Sequence, residues 1–207
     1  MKNTLLILTL LIGLISCNKE GLDFVIKGTI SDNSLGGGLG GARIDLYVTK
    51  AGGNQAFLES ATLEENGSYS FTIPRDKDEQ FDLIIEKDGY FTLNETILFS
   101  DLSASDDNVY NYATTAKSYV TFNLLNNGTV DPQDVLKIQK LNGKQGCEEC
   151  CPIGIEYFNG AVDESFTCAT DAYTNYRFIY WLPGGQEAFY DSVYTLPFQT
   201  SVFNITY

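Results

Sequence analysis

Short runs of residues alternate between apolar and polar side chains along most of this chain, and turn residues punctuate them. Ile44, Leu46 and Val48 share one side of residues 42–49, and Tyr69, Phe71 and Ile73 share one side of the run ending at Pro74. Successive side chains alternate across a strand, whereas a helix repeats every 3.6 residues. Similar runs fall at 24–30, 57–63, 81–86, 90–99, 119–125, 135–141, 153–158, 176–182, 192–195 and 201–207. No long segment has a helical period. Asn66-Gly67 tolerates positive φ at both turn positions of a hairpin, and Asp88-Gly89 and Pro183-Gly184-Gly185 mark further turns. Val, Ile, Thr, Tyr and Phe fill the runs and favour strands. Strands at this spacing predict an all-β chain of antiparallel β-sandwiches.

The first residues differ in kind. Met1-Lys2-Asn3 carries one positive charge and precedes an apolar run from Leu5 to Ile15. That is the layout of a secretory signal. The run is shorter than the ~20 apolar residues of a spanning helix. The next residues, Leu14-Ile15-Ser16-Cys17, resemble the bacterial lipobox. The resemblance implies a signal peptide at 1–16, cleavage before Cys17, a diacylglycerol on its thiol and an acyl chain on its freed amine. Each buried CH₂ adds ~0.8 kcal/mol, so a triacylated Cys17 implies firm anchoring without a transmembrane helix. Residues 17–23 become a polar tether. Lys19-Glu20 and Asp23 resemble the acidic stretch of Bacteroidetes-like lipoproteins sent to the cell surface. The expected location is the bacterial outer membrane, facing periplasm or surface.

Charge and missing residue types narrow the function. The chain has 13 Lys+Arg, 27 Asp+Glu and no His. Removing residues 1–16 takes away Lys2 alone and leaves 12 basic against 27 acidic side chains, a net charge of −15. Nucleic-acid partners are not expected, since their binders carry basic patches. Docking on anionic lipid by charge is disfavoured as well. Without His there is no Ser-His-Asp or Cys-His nucleophile and no His-ligated metal. Neither cofactor nor metal is expected. The glycines between Ser31 and Gly41 lead into another strand and lack the Lys-Ser/Thr of a phosphate loop, so they read as an inter-strand loop. Asp76, Asp78 and Glu79 lack the Asp-x-Asp-x-Asp-Gly pattern of a calcium loop.

Residues 24–115 resemble the carboxypeptidase regulatory-like module, a transthyretin-like β-sandwich. The matching stretches are Ile26-Lys27-Gly28-Thr29-Ile30, Gly41-Ala42-Arg43-Ile44-Asp45-Leu46-Tyr47, Asn66-Gly67-Ser68-Tyr69-Ser70-Phe71 and Leu83-Ile84-Ile85-Glu86-Lys87-Asp88-Gly89-Tyr90. The resemblance implies a fold and no activity. Residues 100–115 are polar and read as the last loop of this module. Residues 116–207 read as a second β-sandwich. The fold expectation is therefore two consecutive antiparallel Ig-like or transthyretin-like β-sandwiches after a lipoprotein signal peptide.

The second half holds Cys147, Cys150, Cys151 and Cys168. An exported protein meets an oxidising compartment, so disulfides are expected. Adjacent cysteines rarely bond to each other. Two schemes remain, Cys147–Cys151 with Cys150–Cys168, or Cys147–Cys150 with Cys151–Cys168. A four-thiolate zinc site lacks its second Cys-x₂-Cys half. Redox chemistry at Cys147 and Cys150 is disfavoured by Glu148 and Glu149, which raise the thiol pKa.

Aromatic side chains crowd residues 173–194. Tyr173, Tyr176, Tyr180, Trp181 and Tyr190 are the candidate ligand-binding rings, in a run that also holds Phe178, Phe189 and Tyr194. Such rings stack on sugars, and alternate ones also fill sandwich cores. Asp191-Ser192-Val193 resembles the O-glycosylation sequon of Bacteroidetes-like bacteria. The reading is a non-catalytic, membrane-anchored accessory or binding lipoprotein that captures glycans or nutrients. The alternatives are a scaffold binding envelope proteins and, third, a carboxylate-only hydrolase.

Overall fold

The computed structural model describes residues 23–207 apart from 77, 129 and 130. The signal segment and Cys17 lie outside the described residues. Fifteen strands are present among them, and no α-helix. The first eight are β1 (Phe24–Asp32), β2 (Arg43–Lys50), β3 (Gln55–Thr62), β4 (Ser68–Ile73), β5 (Asp78–Glu86), β6 (Leu93–Leu98), β7 (Asn108–Val109) and β8 (Tyr112–Thr114). The rest are β9 (Lys117–Leu125), β10 (Val135–Lys140), β11 (Gly154–Asn159), β12 (Asp163–Asp171), β13 (Asn175–Trp181), β14 (Phe189–Tyr194) and β15 (Thr200–Thr206).

The strands make two β-sandwiches with one topology used twice. In the first, a sheet ordered β4-β1-β7, with β8 also on β1, faces a sheet ordered β3-β2-β5-β6. In the second, β12-β9-β15 faces β11-β10-β13-β14. Counted from its own first strand, each sandwich reads 4-1-7 against 3-2-5-6. Most pairings are antiparallel, as the hairpin signals predict. Each sandwich also closes on a parallel pair: β1 runs parallel to β7 and β8, and β9 runs parallel to β15.

Alternation places the cores. Ile26 and Ile30 of β1 point inward against Ile44, Leu46 and Val48 of β2 and Phe81, Leu83 and Ile85 of β5, and Phe24, also buried, packs edge-on to Phe99. In the second sandwich Val120, Phe122 and Leu124 of β9 meet Leu136, Ile138, Tyr176 and Phe178. Burial of a Leu, Ile or Phe side chain stabilises by about 1.5–3 kcal/mol, so these two clusters carry the fold. Two glycines are dictated by geometry. Gly67 takes φ +79° in the turn between β3 and β4, which lie in opposite sheets, so Asn66-Gly67 carries the chain across the sandwich and does not close the expected hairpin. At Gly28 a Cβ would overlap the Tyr110 carbonyl, so only glycine admits that chain beside β1.

Three strands depart from the sequence expectation. Residues 100–115, read as a loop, contain β7 and β8. They are too short to show a period and are held by side-chain bonds. Asn108 donates to the Val25 carbonyl at 3.0 Å, and Asn111 accepts from the Thr29 amide at 2.9 Å. Strand β12 was not expected because its buried positions hold Cys168, Ala169 and Thr170 rather than large apolar residues.

The sandwiches meet end to end. The C-terminal ends of β1 and β8 adjoin the start of β9: the Ala116 amide donates to the Ser34 hydroxyl at 2.9 Å, and Lys117 donates its amide to the Gly89 carbonyl at 2.7 Å. Phe198, at φ +62°, lays its ring on Gly89 and packs edge-on to Tyr90 at 5.4 Å. Lys117 pairs with Glu149 at 2.6 Å and Lys144 with Asp171 at 2.8 Å, both ammonium groups lying over the Phe91 ring.

Candidate functional site

The cysteines are structural. Cys147 bonds to Cys150 and Cys151 to Cys168, which selects the second of the two schemes. The Cys151 amide donates to the Ala169 carbonyl at 2.8 Å, setting Cys151 beside the end of β12, fully buried against Cys168. Cys150 is drawn to the junction with Phe91 and Ala169 instead. Among the described residues, no group of three or more His, Cys, Asp or Glu could hold a metal ion.

The aromatic run divides by strand phase. On β13, Tyr176 and Phe178 are buried, and Tyr180 points the same way, stacked on Phe189 at 5.1 Å. Tyr176 packs edge-on to Phe122 at 6.3 Å, and its hydroxyl has no hydrogen-bond partner. Burial raises the pKa of both phenols. Tyr176 and Tyr180 therefore belong to the core, not to a ligand surface, because the phase of β13 is set by Phe178 meeting Phe122 and Phe203. Tyr173 is exposed at φ +55°, on the turn before β13 and outside the sheet. Trp181 and Tyr190 remain, and both occupy the other phase.

That other phase forms a solvent-facing sheet surface. Register aligns Tyr157 of β11, Lys137 of β10 and Trp181 of β13 in one row. The next row is Ile155, Gln139, Ile179 and Tyr190. Further along stand Arg177 beside Ser192, then Asn175 beside Tyr194. Tyr190 is 75% exposed, Tyr157 58% and Tyr194 53%. Beyond the Trp181 row a cleft of about 390 Å³ opens, lined by Gln133, Asp134, Lys137, Trp181 and Gln186. Flat rings flanked by amides, a hydroxyl and cations offer both the stacking surface and the hydrogen-bond donors that a polyhydroxylated ligand needs. Tyr157, Lys137 and Arg177 were not singled out from sequence. The signals for them are the Ile155/Tyr157 alternation and the polar Arg177 interrupting a run of apolar residues.

A second hollow of about 600 Å³ lies at the junction, lined by Arg43, Glu86, Lys87, Tyr90 and Lys117. Its cations are engaged. Arg43 bonds Asp45 at 2.5 Å, Lys87 donates to the Gly40 carbonyl at 2.8 Å, and Lys117 holds Glu149. Tyr90 donates to buried Asp32 at 2.7 Å, and burial with that carboxylate pushes its pKa up to about 12. These contacts close the end of the first sandwich.

No protein-family model and no curated protein matches the sequence. Among solved structures, a Streptococcal ancillary pilin matches at 12% identity and TM-score 0.40, covering 90% of this chain and 63% of that one. The shaft pilin SpaA from Lactobacillus rhamnosus GG matches at 12% identity and TM-score 0.38, covering 89% and 97%. The 3-chlorocatechol 1,2-dioxygenase from Rhodococcus opacus 1CP matches at 14% identity and TM-score 0.36, covering 48% and 62%. This chain thus spans less than two thirds of the ancillary pilin and of the dioxygenase. With TM-scores below 0.5, these likenesses carry no argument about function, and the all-β sandwich class rests on the sheets themselves.

Proposed function

We propose that this chain is a binding lipoprotein, carried on the bacterial outer membrane by lipid on Cys17, and that it takes a glycan on the outer face of β11-β10-β13-β14. The observation that supports the reading is the set of four rings on one sheet face, Tyr157, Tyr190 and Tyr194 exposed and Trp181 half-buried, with polar side chains among them. An exposed Tyr with no core to fill is a poor choice for stability and a good one for recognition. A glycan array probed with the full chain in detergent micelles tests it. Binding should weaken about tenfold or more with Tyr190→Ala or Trp181→Ala, and an array blank with the wild type would refute it. Cys17→Ala should abolish incorporation of a labelled fatty acid, and persistent label would remove the anchor.

One observation favours a protein partner instead. Strand β3 is a sheet edge, and seven of its eight residues are exposed, including Phe57 at 56% and Leu58 at 41%. Such an edge can accept a partner strand. An envelope protein that co-purifies with the wild type and is lost with Leu58→Pro, glycan binding being absent, would establish the scaffold reading.

A further inference from the structure

We infer that the ligand of this face is an anionic glycan bearing uronate carboxylates, held by Lys137 and Arg177 between the aromatic rings. The inference rests on the glycan reading above and specifies its chemistry. Six of the described basic side chains sit in ion pairs with Asp or Glu. Lys87 and Arg75 lie over the rings of Tyr90 and Phe24. Among the described residues, Lys137 and Arg177 are the basic side chains with neither kind of partner. Both are exposed, and both point outward from the same sheet.

The four strands of that sheet contain two acids, Glu156 and Asp191. Register sets them opposite Ile138 and Phe178, on the core-facing side. The outer phase of the four strands thus carries two unpaired cations and no carboxylate, in a chain with twice as many acids as bases, and the acid beside it is Asp134, just before β10, in the lining of the Trp181 cleft. A neutral sugar gives no reason for that segregation. A carboxylated one does, since Arg binds a carboxylate through two parallel N–H donors and Lys supplies a point charge. The net negative charge does not forbid it. The Debye length is ~8 Å at physiological ionic strength, so acids elsewhere are screened while contact pairs persist. Arg177 stands four residues from the Trp181–Lys137 row, about 13 Å along the strand, so the ligand is an oligosaccharide rather than a single sugar.

Calorimetry on the full chain in detergent micelles tests this with three probes: oligogalacturonate, a neutral glucan of equal length, and a single-stranded oligothymidylate. Oligogalacturonate should bind at least tenfold tighter than the glucan. Lys137→Gln and Arg177→Gln should each weaken it about fivefold, at least twice as much as they weaken glucan binding, and leave the melting temperature unchanged. Equal affinity for both sugars, insensitive to the two substitutions, would overturn the anionic assignment while leaving the glycan reading in place. Tighter binding of the oligonucleotide would overturn both, because bases also stack on such rings. No binding of any sugar, with a blank array, would also remove both.

Discussion

The two disulfides differ in ways that make them separable by stability. Cys151 and Cys168 are 17 residues apart, and Cys147 and Cys150 only three. In the chain-entropy model, closing those loops stabilises by about 3 and about 1.5 kcal/mol respectively. Burial widens the gap. Cys151 and Cys168 are 0% and 8% exposed in the second core, whereas in the other pair only Cys150, at 6%, is buried and Cys147 lies on the surface. Cutting both buried residues to Ala leaves a cavity that adds about 1–2 kcal/mol. The Cys151→Ala/Cys168→Ala variant should therefore lose about 4–5 kcal/mol, and Cys147→Ala/Cys150→Ala, with one buried sulfur, about 2. At about 2–4 °C per kcal/mol for a chain of this size, the melting temperature should fall by roughly 8–20 °C and roughly 4–8 °C. Urea and thermal unfolding of both variants, without reductant, measure this directly. A loss from the 147/150 variant equal to or larger than that from 151/168 would refute the loop-and-burial argument. It would mean that the loop's grip on the junction, through Glu149 and Lys117, outweighs chain entropy.

Two further tests concern buried polar groups. Lys140 is 3% exposed, its ammonium 2.6 Å from Glu156 and over the Phe166 ring. Glu156→Leu should cost about 2–3 kcal/mol in urea unfolding, less than the 3–5 of an enclosed pair because Glu156 is 38% exposed, and adding Lys140→Met should recover most of it. Alkaline stability should fall in a defined window. An unfolded Tyr ionises near pH 10, while Tyr90 holds its proton to about pH 12 and burial raises Tyr69 and Tyr176 also. Their contribution is complete below pH 10 and declines above it, that of Tyr90 being lost by about pH 12 and that of Tyr69 and Tyr176 still declining there, so melting temperatures flat from pH 10 to 12 would contradict the burial of these phenols.

Most of the strands were legible because their inward positions are large and apolar and their turns carry Gly or Asn. What escaped was set by contacts distant in sequence. Strand β12 buries Cys168 and Thr170, which advertise nothing until β9 is beside them. The parallel closures β1–β7 and β9–β15 join segments about 80 residues apart, beyond what local spacing encodes. Site residues divided in the same way. Rings occur in both phases of β13, Tyr176, Phe178 and Tyr180 in one and Trp181 in the other, so Tyr176 and Trp181 were equal candidates until packing on Phe122 fixed which side is core. Arg177, one residue from Tyr176, already marked the solvent side. The choice between cysteine schemes had no local signal, since it depends on Cys151 facing the second core.

The parallel first and last strands have a consequence for reach. When a sandwich begins and ends on neighbouring strands running the same way, the chain enters at one end and leaves at the other. Joined in series, two such units advance the polypeptide instead of folding it back on its origin. Each of β1 and β9 has nine residues, about 30 Å at ~3.3 Å per residue. Phe24 starts the first, and Lys117 starts the second at the junction. Trp181 ends β13 away from that junction, so up to about 60 Å separates the tether side from the Trp181 cleft. If lipid on Cys17 anchors it as proposed, the molecule would work as a short boom, holding its tip clear of the lipid headgroups.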